Sequence, residues 1–281
     1  MKKILATILL LALVLSLAAC SGTPATTGDN EPTVLRVGIV GVFNIHWYAI
    51  QEMVAEDGIE LELVYFSDFT TPNRALDEGD LDLNAFQHKL FFESDVEAND
   101  YQIEYIAETF IFPLNMFKNP DRISSLEDIQ DGDRIGIPSD PTNGGRALRL
   151  LEAAGLIEID PALGLDGIPT ELDIVRYIVD IEIIPAESAM LPNLLPDLTA
   201  AAITNPLAFT AGLSTDTDSI FAEDITGEFA SRLVNIIAVR SADLEDPARA
   251  ALFEAIVRAH QSDEIRTLVL EEYEGILVPV W

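Results

Sequence analysis

The sequence predicts an α/β protein made of two lobes. Strand-like and helix-like segments alternate along most of its 281 residues, and such alternation is typical of α/β layers. Two apolar segments, residues 109–117 and 233–240, could carry the chain from one lobe to the other and back. We therefore expect a discontinuous first lobe of residues 34–112 and 236–281, a second lobe of residues 113–235, and a hinge with a cleft between them.

Local patterns predict the individual elements in order. In the first half, apolar runs and alternating residues predict strands over residues 34–40, 59–66, 81–86 and 101–108. Helices are expected between them over residues 46–56 and 71–79. The second half repeats this style, with predicted strands over residues 134–137, 181–184, 200–203 and 233–239. Its predicted helices span residues 144–154, 247–260 and 263–273.

The N-terminus has the pattern of an export signal with a lipid attachment site. Lys2 and Lys3 precede an acid-free apolar run that ends in "SLAAC" at Cys20, which predicts a signal peptide over residues 1–19. The run is short for a membrane span of about 20 residues, and its ending matches the box in which a bacterial lipoprotein is lipidated on cysteine. The alternative is an ordinary signal peptide followed by an incidental cysteine. Residues 20–33 lack large apolar side chains and predict a flexible tether with a reach of roughly 20 Å.

The chain is strongly acidic and carries a single cysteine. Lys and Arg number 16 against 48 Asp and Glu, a formal net charge of −32 that becomes −34 when Lys2 and Lys3 leave with the signal peptide. Binding of nucleic acid needs a basic face, so that class of partner is excluded. Electrostatic docking on anionic lipid is disfavoured for the same reason. One cysteine allows no intramolecular disulfide, so the core must stabilise the fold by itself.

The segment "IPSDPTNGGRALRL" over residues 137–150 predicts an anion site. It indicates a strand, a turn over residues 140–145 and a helix with Arg146 in its first turn, where a cation costs a few tenths to about 1 kcal/mol. A ligand carboxylate would suit both the helix N-terminus and the guanidinium fork, and replacing Arg146 should then weaken binding while hardly changing stability. Phosphate is the competing ligand, but the glycine patterns of nucleotide loops are missing. Alternatively, Arg146 pairs with an internal acid such as Asp140.

Five ordered blocks carry a resemblance to a known family. They are "FSDFTTPNRAL", "DLDLNAFQHKLF", "IPSDPTNGGRALRLLEAAGLI", "AAITNPLAFTAGL" and "QSDE". With them the chain resembles the NlpA-type methionine-binding lipoproteins of bacterial ABC importers, from residue 35 to residue 281. The resemblance implies a two-lobed, periplasmic-binding-protein-like fold with a ligand cleft. It also implies delivery of methionine, or a related apolar amino acid, to an ABC permease in the membrane.

The resemblance also implies a set of ligand-binding residues. Arg146 matches the family's arginine for the ligand α-carboxylate, and Asn143 matches the asparagine that helps it. Phe86 and His88 match residues of the side-chain pocket, and Asn235 matches an asparagine that helps hold the α-amino group. Aromatic rings make favourable contacts with a thioether, and an amide oxygen accepts from an ammonium without adding a charge.

Three positions depart from the family pattern. Phe69 and Phe91 stand where the family usually has tyrosine, and Thr204 stands where it usually has asparagine. The pocket should therefore be more apolar, which suits a different hydrophobic amino acid or a short peptide that ends in one. Residues 46–48, "HWY", follow the first strand at the expected cleft edge, and we expect them to influence the choice of ligand.

Competing functions have weaker support in the sequence. A metal-binding lipoprotein would need converging histidines and carboxylates, but His46, His88 and His260 show no ligand spacing. An enzyme is disfavoured because no G-x-S-x-G pattern occurs and the single cysteine is assigned to lipidation. An adhesive surface lipoprotein remains an alternative. We expect no cofactor and no resident metal, with a small-molecule ligand, the permease and the bilayer at Cys20 as partners.

Overall fold

The structure is a computed structural model that describes residues 32–41, 44–273 and 276–281. The predicted signal peptide, Cys20 and nearly all of the predicted tether lie outside these residues. Within the described ranges, no helix has both the length and the apolar character that a bilayer span requires.

The strands of the described residues form three sheets. Their bounds are β1 Thr33–Val40, β2 Ile59–Phe66, β3 Leu83–Asn84, β4 Ile103–Ile111, β5 Leu114–Lys118, β6 Arg134–Pro138, β7 Ile157–Ile159, β8 Ile174–Tyr177, β9 Glu182–Ala186, β10 Ala200–Thr204, β11 Ser219–Ala222, β12 Val234–Arg240 and β13 Val278–Pro279. One sheet has the order β13-β4-β12-β3-β1-β2, another the order β11-β5-β10-β6-β9, and β7 pairs with β8 alone.

Helices connect and cover these strands. The α-helices are α1 Ile45–Ala55, α2 Pro72–Asp77, α3 Lys89–Asn99, α4 Pro141–Ala153, α5 Leu191–Leu194, α6 Asn205–Thr210, α7 Ser241–Leu244, α8 Pro247–His260 and α9 Asp263–Glu272. Short 3-10 helices span Leu126–Asp128, Pro161–Leu163, Glu171–Asp173, Ser188–Met190, Leu195–Asp197 and Glu228–Arg232.

The six-stranded sheet joins strands from both ends of the chain. β1 and β2 are parallel, with Thr33 opposite Ile59, whereas β12 and β13 run antiparallel to β4. The chain leaves this sheet at Phe112 and Pro113, builds the five-stranded sheet from β5 onward, and returns between β11 and β12. The predicted mixed α/β fold is therefore confirmed. The exact bounds of the two lobes remain a prediction.

Each large sheet has its own apolar core. Helix α1 packs against α8 and α9 beside the six-stranded sheet, with Trp47 and Phe253 in the core between them. Helix α4 packs against β6 and β7, and its Leu148 and Leu151 lie in the core of the five-stranded sheet. Smaller clusters pack on the same sheets, around Phe117 in the five-stranded sheet and around Ile236 in the six-stranded sheet. Together these cores fix the positions of the strands that line the cavity described below.

Most predicted elements agree with the structure, and the differences have local causes. β2 and α8 have the predicted bounds, while β4 begins and ends later than the predicted 101–108. The sequence patterns missed α3, the short helices α5, α6 and α7, and the short strands β5, β7, β8, β11 and β13. Strands of two to five residues contain too few alternations to produce a periodic signal.

The start of helix α4 corrects the prediction for Arg146. The segment from Pro141 is helical rather than a turn, and Asp140 caps it by accepting from the Asn143 N–H at 2.9 Å. Proline suits this first helical position because its missing N–H is not needed there. Arg146 is thus the sixth helical residue, so the prediction that it lies in the first turn is wrong. The dipole effect fades beyond the first turn, and the expected local penalty is correspondingly smaller.

Two glycines inside α4 are there because neighbouring groups approach closely. A Cβ on Gly144 would lie 2.8 Å from the carbonyl oxygen of Pro138, and a Cβ on Gly145 would lie 2.6 Å from Ile168 Cγ2. The sequence pattern of these glycines indicated a turn. Their function in the structure is to let the helix pack tightly against the strand that precedes it and against the loop at Ile168.

Candidate functional site

A cavity lies where segments of both large sheets meet. Its volume is about 70 Å³, several times the roughly 10–15 Å³ that one water needs. All eight residues predicted to bind a ligand line it: Phe69, Phe86, His88, Phe91, Asn143, Arg146, Thr204 and Asn235. The structure therefore brings the predicted residues together, and their contact with a ligand remains a prediction.

Backbone pairing places His88 beside Asn235. These two residues form an antiparallel bridge, and the N–H of Ile236 donates to the carbonyl of Gln87 at 3.0 Å. The "FQHK" segment thus adds to the edge of β12, although the two are far apart in the sequence. Both side chains are buried at the cavity wall.

The His88 ring connects two segments and is neutral. Its Nδ1 accepts from the N–H of Phe91 at 3.0 Å and caps helix α3. Because Nδ1 accepts, the proton lies on Nε2, which donates to Asn143 Oδ1 at 3.1 Å. Burial, and then the charge of Arg146, lowers the pKa of His88 to about 3. At neutral pH the ring therefore adds no charge to the cavity.

Hydrogen bonds occupy both ends of the Asn143 amide. Oδ1 accepts from His88 and from Arg146 Nη1, the latter at 3.1 Å. Nδ2 donates to Asp140 Oδ1 at 3.1 Å. Asn143 thus links the side chains of His88, Arg146 and Asp140. Because Nδ2 is already engaged with Asp140, Asn143 has little donor capacity left for the ligand carboxylate that it was predicted to help bind.

Arg146 is paired with a carboxylate that the sequence patterns did not identify. Nε donates to Glu223 Oε1 at 3.0 Å and Nη2 to Glu223 Oε2 at 2.6 Å. Nη2 also donates to the carbonyl of Phe112 at 3.1 Å. The side chains of Arg146 and Glu223 are only 1% and 11% exposed. The alternative of an internal acid is thus realised with Glu223, whereas Asp140 caps the helix.

The Glu223 pair leaves Arg146 one N–H for another partner. Among the described residues, contacts to Glu223, Phe112 and Asn143 use four of the five guanidinium N–H groups. The fifth is on Nη1, at the side of the guanidinium that meets Asn143. Since Arg146 lines the cavity, a ligand oxygen could accept from the fifth N–H. Within the described ranges, the guanidinium has no second free N–H with which to bind a ligand carboxylate through two hydrogen bonds.

Three phenylalanines form an aromatic cluster on the cavity wall. The rings of Phe69 and Phe86 are stacked with centroids 6.2 Å apart, and Phe91 meets them edge to face at 6.5 and 6.0 Å. These separations are within the range of attractive aromatic pairs. We call Phe69, Phe86 and Phe91 the phenylalanine cluster. It gives the cavity an apolar wall next to its polar residues.

The "HWY" segment contributes its first two residues to the cavity. His46 and Trp47 are buried and line it, together with Phe110 and His260. His46 and His260 rings are 5.7 Å apart, and burial lowers the pKa of His260 to about 3. Tyr48 is 49% exposed and lies outside the lining, so it does not share the expected position.

The site contains an unpaired amide and no metal-binding cluster among the described residues. Asn235 Nδ2 is buried and has no hydrogen-bond partner among the described residues. Within those residues, no cluster of three or more histidine, cysteine or acidic side chains could hold a metal ion. Glu223 was not predicted from the sequence, because no motif distinguishes it among the 48 acids.

Two large sheets of an α/β fold whose segments line one cavity are the arrangement of the solute-binding protein class. The chain belongs to the NlpA lipoprotein family, whose model matches residues 35–281. The family resemblance seen in the sequence is thereby confirmed.

Relatives and solved structures agree with this assignment. The chain is 34% identical over 257 residues to the D-methionine-binding lipoprotein MetQ of Escherichia coli strain K12, covering 90% of each chain. It is similar to the substrate-binding protein of a methionine transporter from Streptococcus pneumoniae, with a TM-score of 0.83, 29% identity, and coverage of 88% of this chain and 96% of that one. A nutrient-binding protein from Burkholderia cenocepacia bound to methionine gives a TM-score of 0.80 at 32% identity, covering 88% of this chain and 100% of that one.

Proposed function

We propose that this chain is the lipid-anchored solute-binding protein of an ABC importer. It binds methionine, or a related apolar α-amino acid, outside the cytoplasm and delivers it to the permease. Three similar proteins are named for methionine binding, for a methionine transporter and for bound methionine. The cavity of this chain has the chemistry that such a ligand requires.

The arrangement of Arg146 and the phenylalanine cluster carries this proposal. Among the described residues that line the cavity, Arg146 is the single charged side chain, since its neighbour His88 is neutral. A ligand carboxylate can accept from its remaining Nη1 N–H. An apolar side chain can then lie against Phe69, Phe86 and Phe91, where a thioether gains roughly 0.3–1.5 kcal/mol from aromatic contacts.

Asn235 supports recognition of an α-amino acid in particular. Its buried Nδ2 has no partner among the described residues, so it is available to donate to a ligand carboxylate. The other end of the same amide, Oδ1, can accept from an ammonium. One side chain can therefore serve both charged groups of a zwitterion. Thr204, at the start of α6, adds a hydroxyl to the same wall.

The test is a set of calorimetric titrations on protein freed of co-purified ligand by unfolding and refolding. L-methionine, D-methionine and leucine address the side chain, the methyl ester addresses the carboxylate, and glycyl-methionine addresses the peptide alternative. We expect the free amino acids to bind and the ester to bind at least tenfold more weakly. Ester binding as tight as that of the acid contradicts the assignment of Arg146, and failure of every amino acid to bind contradicts the function. The bound amino acid should be recovered chemically unchanged, because the proposed function involves no catalysis.

The anchor is tested separately by mass. Detergent-extracted protein should carry lipid on Cys20, and the Cys20→Ala form should be unlipidated. An unmodified Cys20 at the start of the mature chain would contradict lipidation and leave the ligand-binding proposal untouched.

A further inference from the structure

We propose that Glu223 is a positioning residue that balances the charge of Arg146 and so makes the cavity select zwitterionic ligands over anionic ones. The inference rests on the proposed function, because it specifies which charge state of an amino-acid-like ligand the site accepts. Glu223 lies outside the cavity lining and acts through Arg146.

The contacts of Glu223 show that it fixes the position of Arg146. Its two oxygens accept from Nε and Nη2 of Arg146, at 3.0 and 2.6 Å. Oε2 also accepts from the backbone N–H of Leu114 at 3.0 Å, which connects the carboxylate to the start of β5. Glu223 itself follows β11, the strand next to β5 in the sheet. The guanidinium is thus held from the side opposite to Asn143.

The same contacts determine the charge that a ligand meets. The Arg146–Glu223 pair is buried and has no net charge, and the histidines that line the cavity are neutral because burial lowers the pKa of each. Without Glu223, the cavity would present an uncompensated cation. A ligand that brings a carboxylate and an ammonium keeps the site neutral. A ligand with a carboxylate alone adds an unbalanced charge to a low-dielectric interior, which is costly.

This arrangement explains why a site with an arginine need not bind simple carboxylic acids. Specificity often depends on a repulsive element as well as an attractive one. Arg146 attracts the carboxylate at short range, while the Glu223 carboxylate behind it repels surplus negative charge. Besides any direct contact of the ammonium with Asn235, discrimination between an amino acid and its deaminated acid is then also assigned to Glu223, which neither ligand contacts.

Three probes with the same side chain and different charge test the proposal. They are 4-(methylthio)butanoate with charge −1, methionine with charge 0 and methioninol with charge +1. In Glu223→Gln, the affinity of 4-(methylthio)butanoate relative to methionine should rise about tenfold. The affinity of methioninol relative to methionine should fall about tenfold. A unit charge about 10 Å away has an effect of this size at an effective dielectric constant near 20. Glu158→Gln is the matched control. Glu158 pairs with Arg176 on the exposed surface, so removing its charge should leave both ratios unchanged.

Further variants keep the test decisive if Glu223→Gln folds poorly. Glu223→Asp retains the charge, so the three probes should keep the order of affinity that they have for the wild-type protein, even if every affinity drops. In Arg146→Gln, Glu223 becomes the uncompensated charge, and methioninol should gain on methionine. Equal weakening of all three probes in Glu223→Gln, or no gain of methioninol in Arg146→Gln, would overturn the proposal. Wild-type protein that binds none of the probes would instead contradict the proposed function.

Discussion

Breaking the Arg146–Glu223 pair should destabilise the protein even without ligand. The perturbations are Arg146→Met, Glu223→Leu and the double replacement. An arginine in the first helical turn, as the sequence indicated, would predict almost no change for Arg146→Met. The buried pair predicts a large one, since each single replacement leaves the partner's charge without compensation.

The magnitude follows from the contacts. With side chains 1% and 11% exposed, removal of either partner should cost about 3–5 kcal/mol of the free energy of unfolding. The double replacement removes both charges and leaves the N–H of Leu114, now bonded to Glu223 Oε2, without its acceptor. One unsatisfied buried N–H costs about 1–3 kcal/mol. The double variant should therefore be more stable than either single variant.

Urea denaturation of ligand-free protein at pH 7, followed by circular dichroism, gives the four free energies of a double-mutant cycle. The exposed pair Glu158–Arg176 is the control and should give a coupling of about 0–1 kcal/mol. The reasoning would be refuted if the double variant lost the sum of the two single losses in free energy of unfolding. It would also be refuted if each single variant lost less than about 1 kcal/mol. The double variant should also have lost methionine binding, because its cation is gone.

Three further predictions concern pH, packing and closure. Burial lowers the pKa of His88 and His260 to about 3, so the unfolded chain binds more protons than the folded protein between about pH 3 and 6.5. The free energy of unfolding should then fall from pH 7 to pH 5 by about 2 kcal/mol per histidine; His260→Phe should reduce this slope in urea titrations, and an unaltered slope would be inconsistent with the lowered pKa. Gly144→Ala should lower the free energy of unfolding by about 1–3 kcal/mol through the contact with Pro138, although alanine favours helices; a higher melting temperature would show that the contact is not limiting. If residues 34–112 with 236–281 close against residues 113–235, methionine should reduce the radius of gyration in small-angle scattering, and a constant radius would count against the hinge.

The sequence predicted the parts of the site that local motifs encode. The block "NAFQHK" located Phe86 and His88, and "DPTNGGR" located Asn143 and Arg146, because short contiguous motifs carry these residues. Long strands such as β2 and helices such as α8 were predicted well, since their patterns extend over several periods.

Residues that depend on tertiary contacts could not be predicted. The glycines of α4 indicate a turn by propensity, but the close approach of Pro138 and Ile168 requires small residues inside a helix. Glu223 is one acid among 48, and its partner lies 77 positions away in the sequence. A single sequence contains no signal for such a pairing.

The separation of the polar residues from the phenylalanine cluster has a consequence for how nutrient preference can evolve. Arg146 and Asn143 are on α4 and Asn235 is on β12, whereas the cluster comes from residues 69–91. If the proposed function holds, a lineage can exchange one aromatic residue at a time and so change which ligand side chain is accepted. The residues proposed to bind the α-carboxylate and the α-amino group would then stay unchanged. His88, which contacts Asn143 on one side and Phe91 on the other, is the position at which the two kinds of change would interfere.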